Sequence, residues 1–161
     1  MLKNNRIGET LNVLEEISGK AVVFAVFQTD IEQLVKKIAE VYGDDSVASY
    51  YGKTPQRDRE NILDNFQDPD HPLRFFVSNP HTGGRGLTLT AASHMIFYSN
   101  SYDLELRIQA EDRIHRIGQD KSCTYIDLVC ENTVDEKILE ALKKKISISN
   151  EVLGEVKKWF K

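Results

Sequence analysis

The chain has 161 residues and a net charge of -4, with 40% hydrophobic and 29% charged residues. That length and balance suit a single domain with one buried core, and the acidic net charge excludes a general attraction to nucleic acid, so any DNA contact must come from a local patch. No run of about 18 apolar residues is present, so the sequence predicts no membrane-spanning helix and no membrane partner.

Helical and strand patterns alternate along the chain, beginning with a helix whose apolar residues recur from Ile7 to Ile17. The run 21–27 is continuously apolar, as expected of a strand covered on both faces. The later elements are predicted, in order, as a helix over 31–41, a strand over 47–51, a helix over 54–66, strands over 73–79 and 94–100, a helix over 103–117, a strand over 122–131 and a C-terminal helix from Val134 that breaks near 147–150.

Strands separated by helices predict a three-layer α/β fold, in which helices cover both faces of a mostly parallel sheet. Residues 1–19 would form a helix leading into the domain, 20–131 the domain itself, and 132–161 a helical extension that packs on it. Ligands bind such sheets at the carboxyl ends of the strands. We therefore expect functional loops after Phe27, Tyr51, Asn79 and Asn100.

The two cysteines, Cys123 and Cys130, fall within the predicted strand 122–131. Their odd spacing would place them on opposite faces, so no disulfide is expected. Such cysteine usage is typical of a reducing compartment, and we predict a cytoplasmic location, or a nuclear one if the source is eukaryotic. The histidines show no metal-ligand spacing with a cysteine, so no metal site is predicted.

The strongest chemical motif is QAEDRIHRIGQ at 109–119. On a continuous helix, one polar face would carry Gln109, Asp112, Arg113 and Arg116, beside an apolar stripe of Leu106, Ala110, Ile114 and Ile117. Two arginines a turn apart can grip a polyphosphate, because guanidinium groups stay charged and fork onto phosphate oxygens. Spacing alone leaves open the alternative of a solvated, salt-bridged helix face.

A glycine-rich segment, SNPHTGGRGLTLTAAS at 78–93, directly follows a predicted strand. Its glycines, including Gly84 and Gly86, allow a ligand to approach the backbone closely. It is not a phosphate-binding loop of the GxxxxGK[ST] type, and an ordinary flexible loop remains the alternative. The side chains there that can donate to phosphates are Ser78, Asn79, Thr82, Thr88 and Thr90.

Gly52 and Lys53 lie between a predicted strand end and a helix start, in YYGKTPQR at 50–57. Backbone amides and the helix dipole favour an anion at such a turn, and Lys53 adds positive charge. An ordinary turn with a solvated lysine is the alternative interpretation.

Together these motifs resemble the C-terminal lobe of Swi/Snf-type helicases of superfamily two. The segment 109–119 is similar to motif VI of that branch, QAxDRxHRxGQ, and 83–103 is similar to motif V and the stretch behind it. Segments 22–27, 50–67 and 124–145 resemble motif IV, a glycine-containing turn with its helix, and the closing strand and helix. The last of these is similar to bacterial or phage members.

The resemblance implies a RecA-like lobe whose Arg113 and Arg116 reach ATP and Mg²⁺ held mainly by an N-terminal lobe, with Arg116 as the arginine finger. That lobe would be part of the same polypeptide or a separate chain. Nucleotide binding would be supported by Gly84, Gly86, Gln109 and Asp112. Contacts to the DNA backbone, without sequence specificity, are expected from Gly52, Lys53, Ser78, Asn79, Thr82 and Thr88.

The chain contains no Walker A loop and no DEAH-type carboxylate pair, so we expect the isolated chain to show no ATPase activity. An inactive DNA- or protein-binding module derived from the same lobe is the alternative. A dinucleotide-binding domain would need GxGxxG after the first strand, and 21–30 contains no glycine.

Overall fold

The computed structural model describes residues 5–82 and 86–159, with side chains as far as Leu153. The helices are α1 (Arg6–Glu16), α2 (Gln28–Tyr42), α3 (Gln56–Gln67), α4 (Leu104–Glu111) and α5 (Val134–Trp159). The strands are β1 (Lys20–Phe24), β2 (Val47–Tyr50), β3 (Phe75–Ser78), β4 (Ala92–Phe97) and β5 (Thr124–Asp127).

The strands form one parallel sheet in the order β2-β3-β1-β4-β5. Strand β1 lies at the centre, and all of its residues are buried, as the continuous apolar run predicts. Adjacent strands end in register, with Phe24 opposite both Ser78 and Phe97, and Phe97 opposite Asp127. The carboxyl ends of the strands therefore share one edge of the sheet.

A separate core fills each face of the sheet, so the predicted three-layer α/β fold is confirmed. Helices α1 and α2 cover one face through apolar side chains at helical spacing, namely Leu14, Ile17, Ile31, Leu34 and Ile38. Helices α3 and α4 cover the other face, where Phe66 and Ala110 pack with Phe76, Met95 and Phe97.

The prediction of one helix over 103–117 is wrong, because α4 ends at Glu111. Asp103 caps its start as expected, accepting from the Leu106 backbone amide at 3.0 Å. Beyond Glu111 the chain turns, since main-chain groups there bond to other parts of the lobe. The predicted apolar stripe breaks accordingly: Ile114 is fully buried, whereas Ile117 is fully exposed.

Two further boundaries differ from the prediction. Strand β5 covers only Thr124–Asp127, so Cys123 and Cys130 lie outside it, and both are free thiols. Helix α5 continues through 147–150 without the expected break. The low helix propensity of Ser and Asn is a weak preference that strong helix formers on either side can override.

The first turns of α5 pack on the lobe, where Ile138 and Leu142 are buried. Arg6 of α1 forms an ion pair with Asp135 at the start of α5 and donates to the Tyr98 carbonyl at 3.1 Å. These contacts tie the N-terminal helix to α5 and to Tyr98, the residue that follows β4. All side chains from 143 to 153 are exposed. Within the part of the chain that the structure describes, no helix is apolar enough over a sufficient length to cross a membrane.

Arg6→Ala should lower the free energy of unfolding by about 3 kcal/mol, because it removes the cation from a largely buried pair and leaves the Asp135 carboxylate with the Cys130 amide. The control is Lys37→Ala, since Lys37 and Glu40 are about half exposed and such pairs contribute less than about 1 kcal/mol. Urea denaturation of the two variants checks this, and equal losses would contradict it.

Candidate nucleotide and DNA interface

Residues 112–119, here called the arginine segment, lie beside the amino-terminal end of β4. The Leu89 amide donates to the Arg113 carbonyl at 2.9 Å. Nε2 of Gln119 lies 2.8 Å from the carbonyl of Ala92, the first residue of β4, and 3.1 Å from that of Thr90. The expectation that every functional loop lies at the carboxyl edge is therefore wrong for this segment, because α4 starts at that edge and runs back along the sheet.

The sequence predicts that the two arginines project together from one helix face, and the structure shows that they do not. Arg113 is only 8% exposed, whereas Arg116 is exposed. The difference arises because the segment leaves the helix at Glu111, so positions spaced i and i+3 no longer share a face. Arg116 is thus the arginine that can reach a ligand held outside the lobe.

Arg116 contacts the glycine-rich segment. Its Nη1 lies 3.3 Å from the carbonyl oxygens of both Gly86 and Leu87, and 3.4 Å from the hydroxyl of Thr88. These distances are at or beyond the long end of the hydrogen-bond range, so the interactions are weak. Gly86 has a φ of +102°, which an L side chain rarely adopts. Because its hydroxyl lies beside Arg116, Thr88 is close to the nucleotide-site candidates and apart from the other predicted DNA contacts.

A broad cleft of about 1160 Å³ opens over the arginine segment. Its walls include all of the described residues that the sequence assigns to ATP, namely Gly86, Gln109, Asp112, Arg113 and Arg116. Burial lowers the pKa of Arg113, and the positive charge of Arg116 lowers it further. The two neighbouring cations give this wall positive charge for an anion, and of the two carboxylates in the same lining, Asp112 and Glu111, the second is paired with Arg107. Gly84, the remaining nucleotide-site candidate, lies outside the described residues.

Gly52 and Lys53 lie at the carboxyl edge, in the turn that begins with Tyr51 after β2. Nζ of Lys53 lies 2.8 Å from Oε1 of Glu32 on α2, and the Tyr51 hydroxyl donates to the same oxygen at 3.0 Å. The hydrogen bond to Glu32 raises the pKa of Lys53. Lys53 is 64% exposed, and an exposed ion pair of this kind is weak. Its ammonium group can therefore exchange Glu32 for another anion.

The loop after β3 lies beside the Lys53 turn, because β2 and β3 are neighbours in register. Asn79 donates from Nδ2 to the Val26 carbonyl and accepts from the His81 amide at 2.8 Å. Thr82 is half-buried in the same loop. Ser78 does not fit its predicted DNA contact, since it is fully buried and its hydroxyl donates to the Tyr50 carbonyl. Ser78 instead joins β3 to β2.

Sequence reasoning missed Gln119 and Arg107 as candidate site residues. Gln119 is the last residue of the quoted motif, and its amide fixes the arginine segment. Arg107 precedes the motif and forms ion pairs with Glu111 and Asp127. The spacing of Arg107 and Glu111 could have suggested one of these pairs, but nothing local in the sequence points to Asp127.

A family model described as the helicase conserved C-terminal domain matches residues 3–118. The mouse SWI/SNF-related matrix-associated actin-dependent regulator of chromatin subfamily A member 1 is 34% identical over 102 residues, 63% of this chain and 10% of that protein. The Saccharomyces cerevisiae ISWI chromatin-remodeling complex ATPase ISW1 is 35% identical over 102 residues, 63% of this chain and 9% of that protein. The chain thus spans about a tenth of the length of these relatives. A bacterial or phage origin stays a prediction.

Among solved structures, the crystal structure of the C-terminal part of the Fun30 ATPase domain is similar with a TM-score of 0.77 and 24% sequence identity. The similarity covers 88% of this chain and 46% of that chain, and it shows that the fold is RecA-like. The family model spans the central sheet strands, the glycine-rich segment and most of the arginine segment. The chain belongs to the helicase conserved C-terminal domain family, as a C-terminal lobe of the Swi/Snf type.

Proposed function

We propose that this chain is the second lobe of a DNA-dependent ATPase, and that it supplies Arg116 and Arg113 to ATP bound by an N-terminal lobe. The observation that supports this most strongly is the shared cleft, because residues from α4, the arginine segment and Gly86 line one cavity. A merely solvated, salt-bridged helix face would not need hydrogen bonds to Leu89 and to Ala92 at the start of β4.

The donors on this wall of the cleft suit phosphate oxygens. Guanidinium groups carry donors and no acceptor, so they cannot ligate a metal ion. In the described residues, no cluster of three or more His, Cys, Asp or Glu side chains could hold one. We therefore assign Mg²⁺, which would neutralise phosphate charge, to the N-terminal lobe together with the group that positions the attacking water.

Arg116 would stabilise the charge that develops on the transferred phosphoryl group. Its present interactions with carbonyl oxygens are long, whereas a charge-assisted bond to phosphate is shorter and stronger. Moving from one to the other when the lobes close is therefore favourable. Arg113 is buried in the same wall, and it would add positive potential without reaching as far.

The carboxyl edge would hold the DNA backbone through the turn at Gly52 and Lys53 and the loop at Asn79 and Thr82. Backbone contacts carry no sequence information, so this binding should be non-specific and sensitive to salt. Repeated closing and opening of the two lobes would move this grip along duplex DNA. Strand separation is not implied.

Arg116→Ala in the two-lobe protein should reduce DNA-stimulated ATP hydrolysis by about 1000-fold, because an arginine finger contributes roughly 10³ to 10⁵ in rate. Lys37→Ala, which removes a charge from the exposed face of α2, is the control and should hydrolyse ATP at the unmodified rate. A steady-state assay with duplex DNA measures both. Unchanged turnover by the Arg116 variant would rule out this role for Arg116, and robust turnover by this chain alone would also contradict the proposal. No turnover by the unmodified two-lobe protein would favour an inactive binding module.

Glu32→Gln should raise DNA affinity by about two- to fivefold at low salt, because it frees Lys53 and removes a like charge from near the phosphates. Glu40→Gln is the matched control, since Glu40 also lies on α2 and pairs with a lysine, Lys37. Fluorescence anisotropy with duplex DNA measures the difference, and equal affinities for the two glutamine variants would argue against a phosphate contact at Lys53.

Lys53→Ala should reduce the slope of log DNA affinity against log salt concentration by about 1.

A further inference from the structure

Arg107, in the middle of α4, has charged and aromatic partners although its side chain is only 10% exposed. Its Nη1 and Nη2 lie 2.5 and 3.2 Å from the two carboxylate oxygens of Asp127, and its Nε lies 2.6 Å from Oε1 of Glu111. The guanidinium carbon lies 3.5 Å from the centroid of the Phe97 ring. Burial acts to lower the pKa of Arg107, but its hydrogen bonds to Asp127 and Glu111 raise it above the usual value.

These partners attach α4 to the carboxyl ends of two strands. Phe97 is the last residue of β4 and Asp127 the last residue of β5. Asn100 accepts from Arg107 at 3.0 Å and donates its own Nδ2 to Asp127 at 2.7 Å. A bidentate pair between a planar guanidinium and a carboxylate fixes the orientation of the two groups as well as the distance between them. Arg107 therefore sets where α4 lies on the sheet.

Apolar packing holds helix α4 only in part. Of its 8 residues only Ala110 is buried, Leu104 and Leu106 are half-buried, and Ile108 is 46% exposed. A helix this short gains little stability of its own, and burying one alanine contributes far less than burying a larger apolar side chain. The polar contacts of Arg107 consequently matter more than ion pairs usually do.

The position of α4 matters because the arginine segment starts where this helix ends. The Glu111 carbonyl accepts from the Tyr125 hydroxyl at 3.4 Å and from the amides of Ile114 and His115 at 3.3 and 3.2 Å. Burial raises the pKa of Tyr125 to about 12, so its hydroxyl keeps the proton that it donates. Arg107 holds the side chain of Glu111, and Tyr125 adds a weak hydrogen bond to the Glu111 carbonyl, from which the segment turns toward the cleft.

We infer that Arg107 is a positioning residue for ATP hydrolysis: its fork onto Asp127 and its bond to Glu111 set the direction in which the arginine segment leaves α4. The inference rests on the proposed function, because it requires Arg116 to act on bound ATP. Arg107 itself does not line the cleft, so its effect should be on turnover and not on ATP binding.

Arg107→Lys in the two-lobe protein keeps the charge but loses the fork. The kcat of DNA-stimulated hydrolysis should fall about 10- to 100-fold, because a misplacement of about 1 Å can cost about 100-fold, while KM for ATP changes less than about threefold. Arg6→Lys is the matched control, since Arg6 is 12% exposed and pairs with Asp135 away from the cleft. At a temperature where both variants are folded, equal losses of kcat would overturn the inference.

A double variant separates positioning from general loosening of the lobe. If Arg107 acts through Arg116, then Arg107→Lys combined with Arg116→Ala should turn over no more slowly than Arg116→Ala alone. Multiplied losses would overturn the inference. If Arg116→Ala removes turnover while Arg107→Lys matches the unmodified protein, the inference fails and the proposed function stands. If Arg116→Ala has no effect, both fail.

Asp127→Asn tests the same inference independently if the Arg107→Lys variant fails to fold. The asparagine keeps the shape of the side chain but weakens the charge-assisted bond to Arg107. The same fall in kcat with little change in KM would support the inference. A kcat equal to that of the unmodified protein would overturn it.

Discussion

The candidate site depends on hydrogen bonds that fix the arginine segment to the start of β4. Nε2 of Gln119 lies within 3.1 Å of the carbonyl oxygens of Thr90, Ala92 and Ile114. The Leu89 amide holds the Arg113 carbonyl. These bonds draw the segment out of helical geometry and place it against the glycine-rich segment. The separation of a buried Arg113 from an exposed Arg116 follows directly from that path.

The proposed DNA contacts and the proposed ATP contacts lie at two different regions of the sheet. The carboxyl edge carries the turn with Lys53 and the loop with Asn79, while the arginine segment lies toward the opposite end of β4. Helix α4 connects the two, because Arg107 is bound near the carboxyl edge and Glu111 leads into the arginine segment. A shift of α4 at the carboxyl edge would therefore also move the arginine segment.

Most of the fold could be predicted from the sequence, since hydrophobic patterning sets its layers. The apolar run of β1 and the spacing of Ile31, Leu34 and Ile38 correctly indicated a covered parallel sheet. The end of α4 could not be predicted, because it depends on partners such as Leu89 and Thr90, which are distant along the chain. For the same reason, no local pattern showed that Ser78 turns inward to Tyr50.

The candidate site was predictable in composition and less so in geometry. The motif at 109–119 named residues that do line one cleft, but helical spacing gave Arg113 the wrong exposure. The ion pairs of these charged residues could not be predicted from local sequence either, because Glu32 lies 21 positions before its partner Lys53 and Asp127 lies 20 positions after Arg107. Such pairs form only when the sheet brings separate elements together.

The central claim is that the arginine segment reaches the terminal phosphate of ATP held by a neighbouring lobe. The most direct measurement is photocrosslinking of the two-lobe protein, bound to duplex DNA, with ATP that carries a photoreactive group on its γ-phosphate, followed by mass spectrometric mapping of the labelled peptides. The account predicts label in the peptide containing residues 112–119, competed away by excess ATP. Label confined to the N-terminal lobe, or found in this chain only away from the cleft, would contradict it.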